Sequence, residues 1–454
     1  MGNMVESSDK VADETTTKKP PTALQRAAAA VEASQTEAHV LREKLAMESS
    51  MRKKLLNEVQ DMKGNVRVYC RPQPRLDGAT VDIASVPSSN VIVLHRHLDQ
   101  DASNEFGSPA PMSFEFDRVF SPESNQKEIY SEVEELALGA LDGFNICLMA
   151  YGQDAAGKRR TILGDYEVSL VDPEAPSATI LHQGIHFLAA QQLFTVAEHR
   201  ADRYQDCFTM NIVEVHSDKL RDLLAGTRIA EESGQVQINP PKSSKKKRGA
   251  DDGSASASKT GSNKYAGTRL EIRTNYDGDT VVQGAITVEV KSFNDLCRVW
   301  QECLIERSAR LAEQSINEDQ YLAECHVIAT LSVVSTNVST GIGTSGKIQF
   351  VDLASSDLQA CYVDSDADAE PFCTPMDGVL SGVGNNSQWK YANKSLETLL
   401  DVVTARSQFS RSVPYRNSTL THLLRDSFTS DTKFLFLASV STDAEDLQNT
   451  ASAL

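Results

Sequence analysis

Nowhere in the 454 residues is there a run approaching the roughly 18–20 consecutive apolar side chains that cross a bilayer. The first residues are polar where a secretory leader carries an apolar core. The sequence therefore predicts no membrane association and residence in the cytosol or nucleus. Glu6 stands where an N-myristoylation signal needs Ser or Thr, which argues against that lipid anchor. Cysteine pairs are missing as well. The eight cysteines (70, 147, 207, 297, 303, 325, 361 and 373) include no C-x-x-C, and most lie in apolar runs such as Ile146-Cys147-Leu148, the pattern of buried reduced thiols. None of the nine histidines has metal-site spacing, so no metal centre is expected. Positive charge is also in short supply: 45 Lys+Arg against 63 Asp+Glu gives 45 − 63 = −18. Nucleic acid and anionic membrane should repel such a chain, and a polyanionic partner would require a local basic face.

What is present, 40% apolar and 24% charged residues, suits one large globular domain with an appendage. Residues 1–21 are too poor in apolar groups to bury a core and read as a disordered tail. Residues 22–63 contain neither Pro nor Gly before position 64 and fit a heptad frame with a at 24, 31, 38, 45, 52 and 59 and d at 34, 41, 48, 55 and 62. Ser34, Glu48 and Arg52 interrupt that seam, so a weak coiled coil with a selected partner and a single helix packed on its own domain both remain open. From Gly64 onward, buried apolar runs at 66–70, 145–151, 208–216, 326–334, 347–354 and 433–440 alternate with helical patterns at 292–314 and 392–406. That alternation predicts an α/β domain over 64–454, with a central, mostly parallel or mixed sheet of about eight strands and helices on both faces. Two insertions interrupt it, at about 239–266, with Lys242, Lys245, Lys246, Lys247 and Arg248, and at about 358–383.

Directly after the strand ending at Tyr151 comes Gly152-Gln153-Asp154-Ala155-Ala156-Gly157-Lys158-Arg159. A strand, then G-x-x-x-x-G-K, then a helix is the context of a phosphate-binding loop, in which backbone N–H groups cradle phosphates and Lys reaches the terminal ones. The next residue should supply a hydroxyl to Mg²⁺, but it is Arg159, a cation that repels the metal. Asp154 adds a carboxylate beside the same loop.

Other segments follow in an order of their own: KGNVRVYCR at 63–71, FEFDRVFSPESNQKEIYSEV at 114–133, LDGFNICLMAYGQ at 141–153, VEVHSDKLRDLL at 213–224, LEIRTNYDGDTVVQGAITVEV at 270–290, VDLASSD at 351–357, NKSL at 393–396 and VPYRNSTLTHLLRDSF at 413–428. Together with the loop they resemble the kinesin motor domain, over about residues 64–450. The likeness is to the minus-end-directed subfamily whose motor lies at the C-terminus behind a coiled-coil neck. It implies a P-loop fold of the kinesin type and a nucleotide site with several departures. The adenine-holding run R-x-R-P becomes Arg71-Pro72-Gln73-Pro74, which keeps Arg71 and Pro74 but not the second arginine. The first switch, N-x-x-S-S-R-S-H in the family, aligns with residues 317–326, retaining Asn317 and His326 but losing the serines and carrying Glu324 where the arginine belongs. The second switch, D-L-A-G-S-E, reads Asp352-Leu353-Ala354-Ser355-Ser356-Asp357, with Ser355 for the glycine. Glu324 would then face Asp357 as a like-charge pair, and Arg159 or Lys158 would turn to Glu324 to fill the pocket.

The resemblance also implies a face for the acidic microtubule surface, carried here by Lys390, Lys394, Arg406, Arg411, Arg416 and Arg425, with Thr419 in place of the usual lysine. The packing alternative, that PYRNS-x-LT is kept for the fold, stays open. So does the role of the Lys242–Arg248 run as solvated loop, electrostatic tether or nuclear localisation signal. The leading expectation is a noncatalytic or ATPase-impaired microtubule-binding protein of the cytoplasmic cytoskeleton and spindle. Its neck helix would pair with another chain, a catalytic kinesin being one candidate. No cofactor would be required, and any ADP or ATP retained would be residual. The alternatives are an active minus-end-directed motor with an aberrant P-loop and a scaffold that binds no tubulin.

Overall fold

The computed structural model describes residues 22–62, 65–73, 84–95, 111–171, 176–229, 270–275, 278–356, 387–429, 431–443 and 446–454. The tail 1–21 and the expected insertions at 239–266 and 358–383 lie outside the described residues. Two units are distinguished, up to Met62 and from Lys63 to Leu454. The first contains one 40-residue helix, α1 (Ala23–Met62). Four of its heptad seam residues, Leu24, Val31, Leu41 and Leu55, are each more than half exposed.

The second unit is built on a mixed sheet. Its strands are β1 (Val66–Pro72), β5 (Arg118–Val119), β6 (Asn145–Gly152), β9 (Tyr204–His216), β10 (Lys219–Asp222), β14 (His326–Asn337), β15 (Gly343–Asp352) and β16 (Thr432–Val440). They lie in the order β10-β9-β14-β15-β6-β16-β1-β5, and β13 (Val288–Val290) pairs with β9 outside that path. β15, β6, β16, β1 and β5 run parallel, whereas β10, β13 and β14 pair antiparallel with β9, and β14 with β15. Small hairpin sheets add β2 (Ala84–Ser88), β3 (Val91–Leu94) and β4 (Met112–Glu115), then β7 (Gly164–Ser169) with β8 (Ser177–Gln183), and β11 (Glu271–Thr274) with β12 (Thr280–Gln283). β3 thus belongs to a satellite sheet and not to the central one.

Central strands buried on both sides explain the unbroken apolar runs, and the pleat sends alternate residues to opposite cores. Ile146, Leu148 and Ala150 of β6 join the core that contains α5 (Ile185–His199) and α6 (Phe293–Glu313). Cys147 and Met149 join the other core, with Leu396 and Leu399 of α8 (Ser387–Ser407) and Leu420 and Leu423 of α9 (Thr419–Leu423). The shorter helices are α2 (Gln126–Ser131), α3 (Glu134–Leu138), α4 (Lys158–Ile162), α7 (Glu318–Glu324) and α10 (Leu447–Ala453). Parallel pairing aligns the carboxyl ends of the central strands, with Asp352 opposite Ala150, Gly152 opposite Ser439, and Arg71 also opposite Ser439. Open α/β sheets place their ligand crevices beyond these ends.

Candidate nucleotide crevice and polymer face

β6 ends in the glycine-bearing loop. Gly152 is required by crowding: at φ +146° a Cβ there would lie 1.9 Å from the Ser439 carbonyl oxygen. Gly157 has φ +74°, and a Cβ would meet Gln73 Oε1 at 2.0 Å. Gln73, which stands where the second adenine-side arginine was expected, thus lies against the loop. Gln153 is buried, and its Oε1 accepts from Ser441 N at 2.8 Å and Thr450 Oγ1 at 3.0 Å, joining the loop to β16 and α10. Asp154 is exposed on the loop.

Lys158 is buried at the start of α4. Arg159 turns toward the second switch, donating from Nε to Asp352 Oδ2 at 2.9 Å and from its terminal nitrogen to the Leu322 carbonyl at 2.7 Å. Asp352 is fully buried, so the guanidinium supplies the charge partner that its desolvation demands. Burial works against the Arg159 charge, but Asp352 and Tyr166 together hold the pKa above the ordinary arginine value. Among the described residues, buried Asp352 Oδ1, Ser355 Oγ and Ser356 Oγ have no hydrogen-bond partner. The Ser355 backbone N–H donates to the Ala323 carbonyl at 2.8 Å, drawing the second switch onto the first.

The first switch is folded into α7. Asn317 is its N-cap, accepting from Gln320 N at 2.9 Å, and so has a local reason to be asparagine. Glu324 is buried, with Gln320 Nε2 at 3.2 Å and His216 Nε2 at 3.4 Å. The expected turn of Arg159 toward Glu324 is therefore corrected: Arg159 serves Asp352, and Glu324 takes its partners from β9 and its own helix. The reason is geometric, since β15 pairs with β6 and brings Asp352 beside the loop that carries Arg159. Asp357 and Pro74 lie outside the described residues. His326 Nδ1 accepts from Ala354 N at 2.9 Å, which leaves Nε2–H to donate to Ser395 Oγ at 2.7 Å. Burial, with Lys158 and His216 adding to it, depresses this imidazole to about 3.

Arg71 is held on the other side. Its guanidinium reaches Gln126 Oε1 at 3.1 Å and Thr161 Oγ1 at 2.5 Å, while Gln126 Nε2 donates to the Thr161 carbonyl at 2.7 Å. Burial and the nearby Arg160 lower the Arg71 pKa to about 10. Sequence reasoning missed this lock and a second one behind α7. There, buried Glu214 accepts from Arg310 at 2.9 Å and the Tyr321 hydroxyl at 2.6 Å, and Arg307 donates to the Tyr166 hydroxyl. The available signal was a lone carboxylate within the apolar run of β9 and two arginines on the buried side of α6.

The expected basic face divides. Lys394, Arg406, Arg411 and Arg416 are exposed, whereas Lys390 lies in α8 without a described side chain. Arg425 is engaged at home, donating to Thr274 Oγ1 at 3.1 Å, the Gly278 carbonyl at 2.9 Å and Asp426 Oδ1 at 3.2 Å. Thr419 ties α9 to the β9–β10 turn, with N to Asp218 Oδ1 at 2.6 Å and Oγ1 to Asp218 O at 2.7 Å.

The fold that carries this site is shared with known proteins. The kinesin motor domain family model matches residues 70–371 and 379–454. The kinesin-like protein KIN-14R of Arabidopsis thaliana is 28% identical over 414 residues, covering 91% of this chain and 31% of that protein. KIN-14E of Oryza sativa subsp. japonica is 29% identical over 407 residues, covering 90% and 31%. The chain thus spans about a third of the length of these relatives. Among solved structures, the C-terminal motor and motor homology domain of Kar3Vik1, fused to a synthetic heterodimeric coiled coil, superposes with TM-score 0.66 at 22% identity and 95% coverage of each chain. The Kar3 motor domain of Saccharomyces cerevisiae gives 0.58 at 21%, covering 86% of this chain and 97% of that one. With most of its length matched by the family model and its relatives carrying KIN-14 names, the chain belongs to the kinesin motor-domain family.

Proposed function

We propose that this chain is a kinesin-like microtubule-binding protein whose motor fold does not run an ATP cycle, and which pairs through α1 with another chain. The observation that carries this reading is Arg159, whose guanidinium spans Asp352 Oδ2 and the Leu322 carbonyl. In a working P-loop site the residue after the lysine gives a hydroxyl to Mg²⁺, and a second-switch aspartate holds the metal through water. Here the hydroxyl is absent and the aspartate oxygen is taken by a covalently attached cation. Mg²⁺-ATP does not fit that arrangement without expelling Arg159 from a buried carboxylate. Phosphoryl transfer depends almost wholly on positioning and electrostatics, so loss of the metal site, Glu324 in place of a cation and Ser355 in place of glycine act on the same step.

Pairing is supported by the exposed seam residues of α1 and by the structural likeness to Kar3Vik1, a motor and a motor homology domain on a heterodimeric coiled coil. Association with cytoplasmic microtubules follows from family membership and from the exposed arginines after α8. The test is ATP turnover by the purified chain with and without microtubules, beside calorimetric titration of ADP and ATP with and without Mg²⁺. Expected are no microtubule-stimulated turnover and no Mg²⁺-dependent gain in affinity. Stimulated turnover of about one per second or faster, within the ordinary range for phosphoryl-transfer enzymes, overturns the reading in favour of an active motor.

A further inference from the structure

The end of α8 carries an apolar group where neither folding nor solubility asks for one. Ser410 N donates to Ala405 O at 2.9 Å and Phe409 N to Arg406 O at 3.1 Å, the two hydrogen bonds of a Schellman cap. Its left-handed position, normally glycine, is occupied by Phe409 at φ +51°. That side chain is 93% exposed and therefore gains nothing from burial within the chain. Leu400 and Val403, three residues apart on the same helix, are 64% and 45% exposed.

The surrounding charge shows what these groups could meet. From Lys394 to Arg416 the exposed cations are Lys394, Arg406, Arg411 and Arg416, but Glu397 and Asp401 are exposed on α8 between them, so 4 − 2 leaves a net charge of +2. Arg425 is closed on Asp426 and the β11–β12 hairpin. Such a face selects an acidic partner, yet holds it weakly by charge alone, because exposed ion pairs are weak and screened by salt.

We propose that Phe409 is an apolar anchor inserted into the acidic microtubule surface, and that it carries the salt-resistant part of binding while Arg406, Arg411 and Arg416 carry the salt-sensitive part. This rests on the microtubule reading above and adds the residue that grips. Large aromatic groups ringed by polar contacts are where binding energy concentrates at interfaces, and desolvation of a phenyl ring is indifferent to ionic strength.

The test is co-sedimentation of the full chain with microtubules at low and high salt, for wild type, Phe409→Gly, Phe409→Asn and the triple variant Arg406→Ala/Arg411→Ala/Arg416→Ala. Gly and Asn both accept the left-handed backbone, so the cap is kept and the thermal midpoint should hold or rise. Expected is a loss of affinity of about tenfold or more for both Phe409 variants at either salt, with an unchanged salt dependence. The triple variant should instead lose most of its salt dependence. Wild-type affinity from both Phe409 variants, in the presence of a binding wild type, overturns the anchor alone. No pelleting of wild type at low salt overturns both the anchor and the microtubule reading. Loss of self-association by the Phe409 variants without polymer would reassign the patch to contact between copies of this chain.

Discussion

The candidate nucleotide crevice and the candidate polymer face hold their polar side chains in opposite ways. In the crevice the changed side chains have found partners inside the protein: Arg159 closes on Asp352, Glu324 on His216 and Gln320, and Gln73 lies against Gly157. On the face, Arg406, Arg411, Arg416 and Phe409 project into solvent. The difference teaches what each region is still asked to do. A buried carboxylate must be neutralised by a cation or the fold suffers, whereas an exposed charge has little folding consequence and stays accessible to solvent.

The largest effect expected is on the crevice side and comes with acid. His326, and His186 beneath α4, are buried and neutral, each with a pKa depressed to about 3 by burial above all. The unfolded chain binds protons at these sites from about pH 6.5 downward while the folded chain does not, so stability falls as pH falls. Lowering pH from about 6.5 to 5 should remove roughly 3.3 kcal/mol for the two together, read by urea denaturation at each pH. His326→Asn should flatten about half of that slope, and an unchanged slope would mean that His326 titrates normally.

Next in size, Arg159→Ala should destabilise the fold by about 3 kcal/mol by stranding Asp352. Arg159→Ala/Asp352→Asn should recover most of the loss, since the uncompensated charge is gone. A single-variant cost no greater than that of an ordinary surface change would break the contrast between crevice and face. Gln153→Ala should cost about 1–2 kcal/mol, leaving the buried Ser441 N–H without its acceptor, measurable as a lower denaturation midpoint. Smallest of all, Arg406→Ala/Arg411→Ala/Arg416→Ala should change stability by no more than about 0.5 kcal/mol while weakening microtubule binding at low salt. A large stability loss there would make the face structural.

Much of the fold was legible because its signals are local. The apolar runs at 145–151, 326–334, 347–354 and 433–440 became β6, β14, β15 and β16, and the helical patterns at 292–314 and 392–406 became α6 and α8. The loop at Gly152–Lys158 was placed correctly between a strand and a helix. The short run that became β3 did not reveal its sheet, because a satellite hairpin and a central strand have the same short apolar signature. Arg425 misled for another reason: a cation in a basic segment looks free until the β11–β12 hairpin arrives beside it, about 150 residues away in sequence but hydrogen-bonded through Thr274 and Gly278.

Residue type and spacing alone therefore fixed the class of fold, the position of the phosphate-type loop and the presence of a cation, Arg159, where the motif calls for a hydroxyl. Which carboxylate receives that arginine was decided only by tertiary structure. Asp352 lies 193 positions from Arg159 and becomes its neighbour because β15 is laid parallel beside β6. Strand periodicity is written in adjacent residues, but the partner of a buried charge depends on strand order, and strand order is set by the whole core at once.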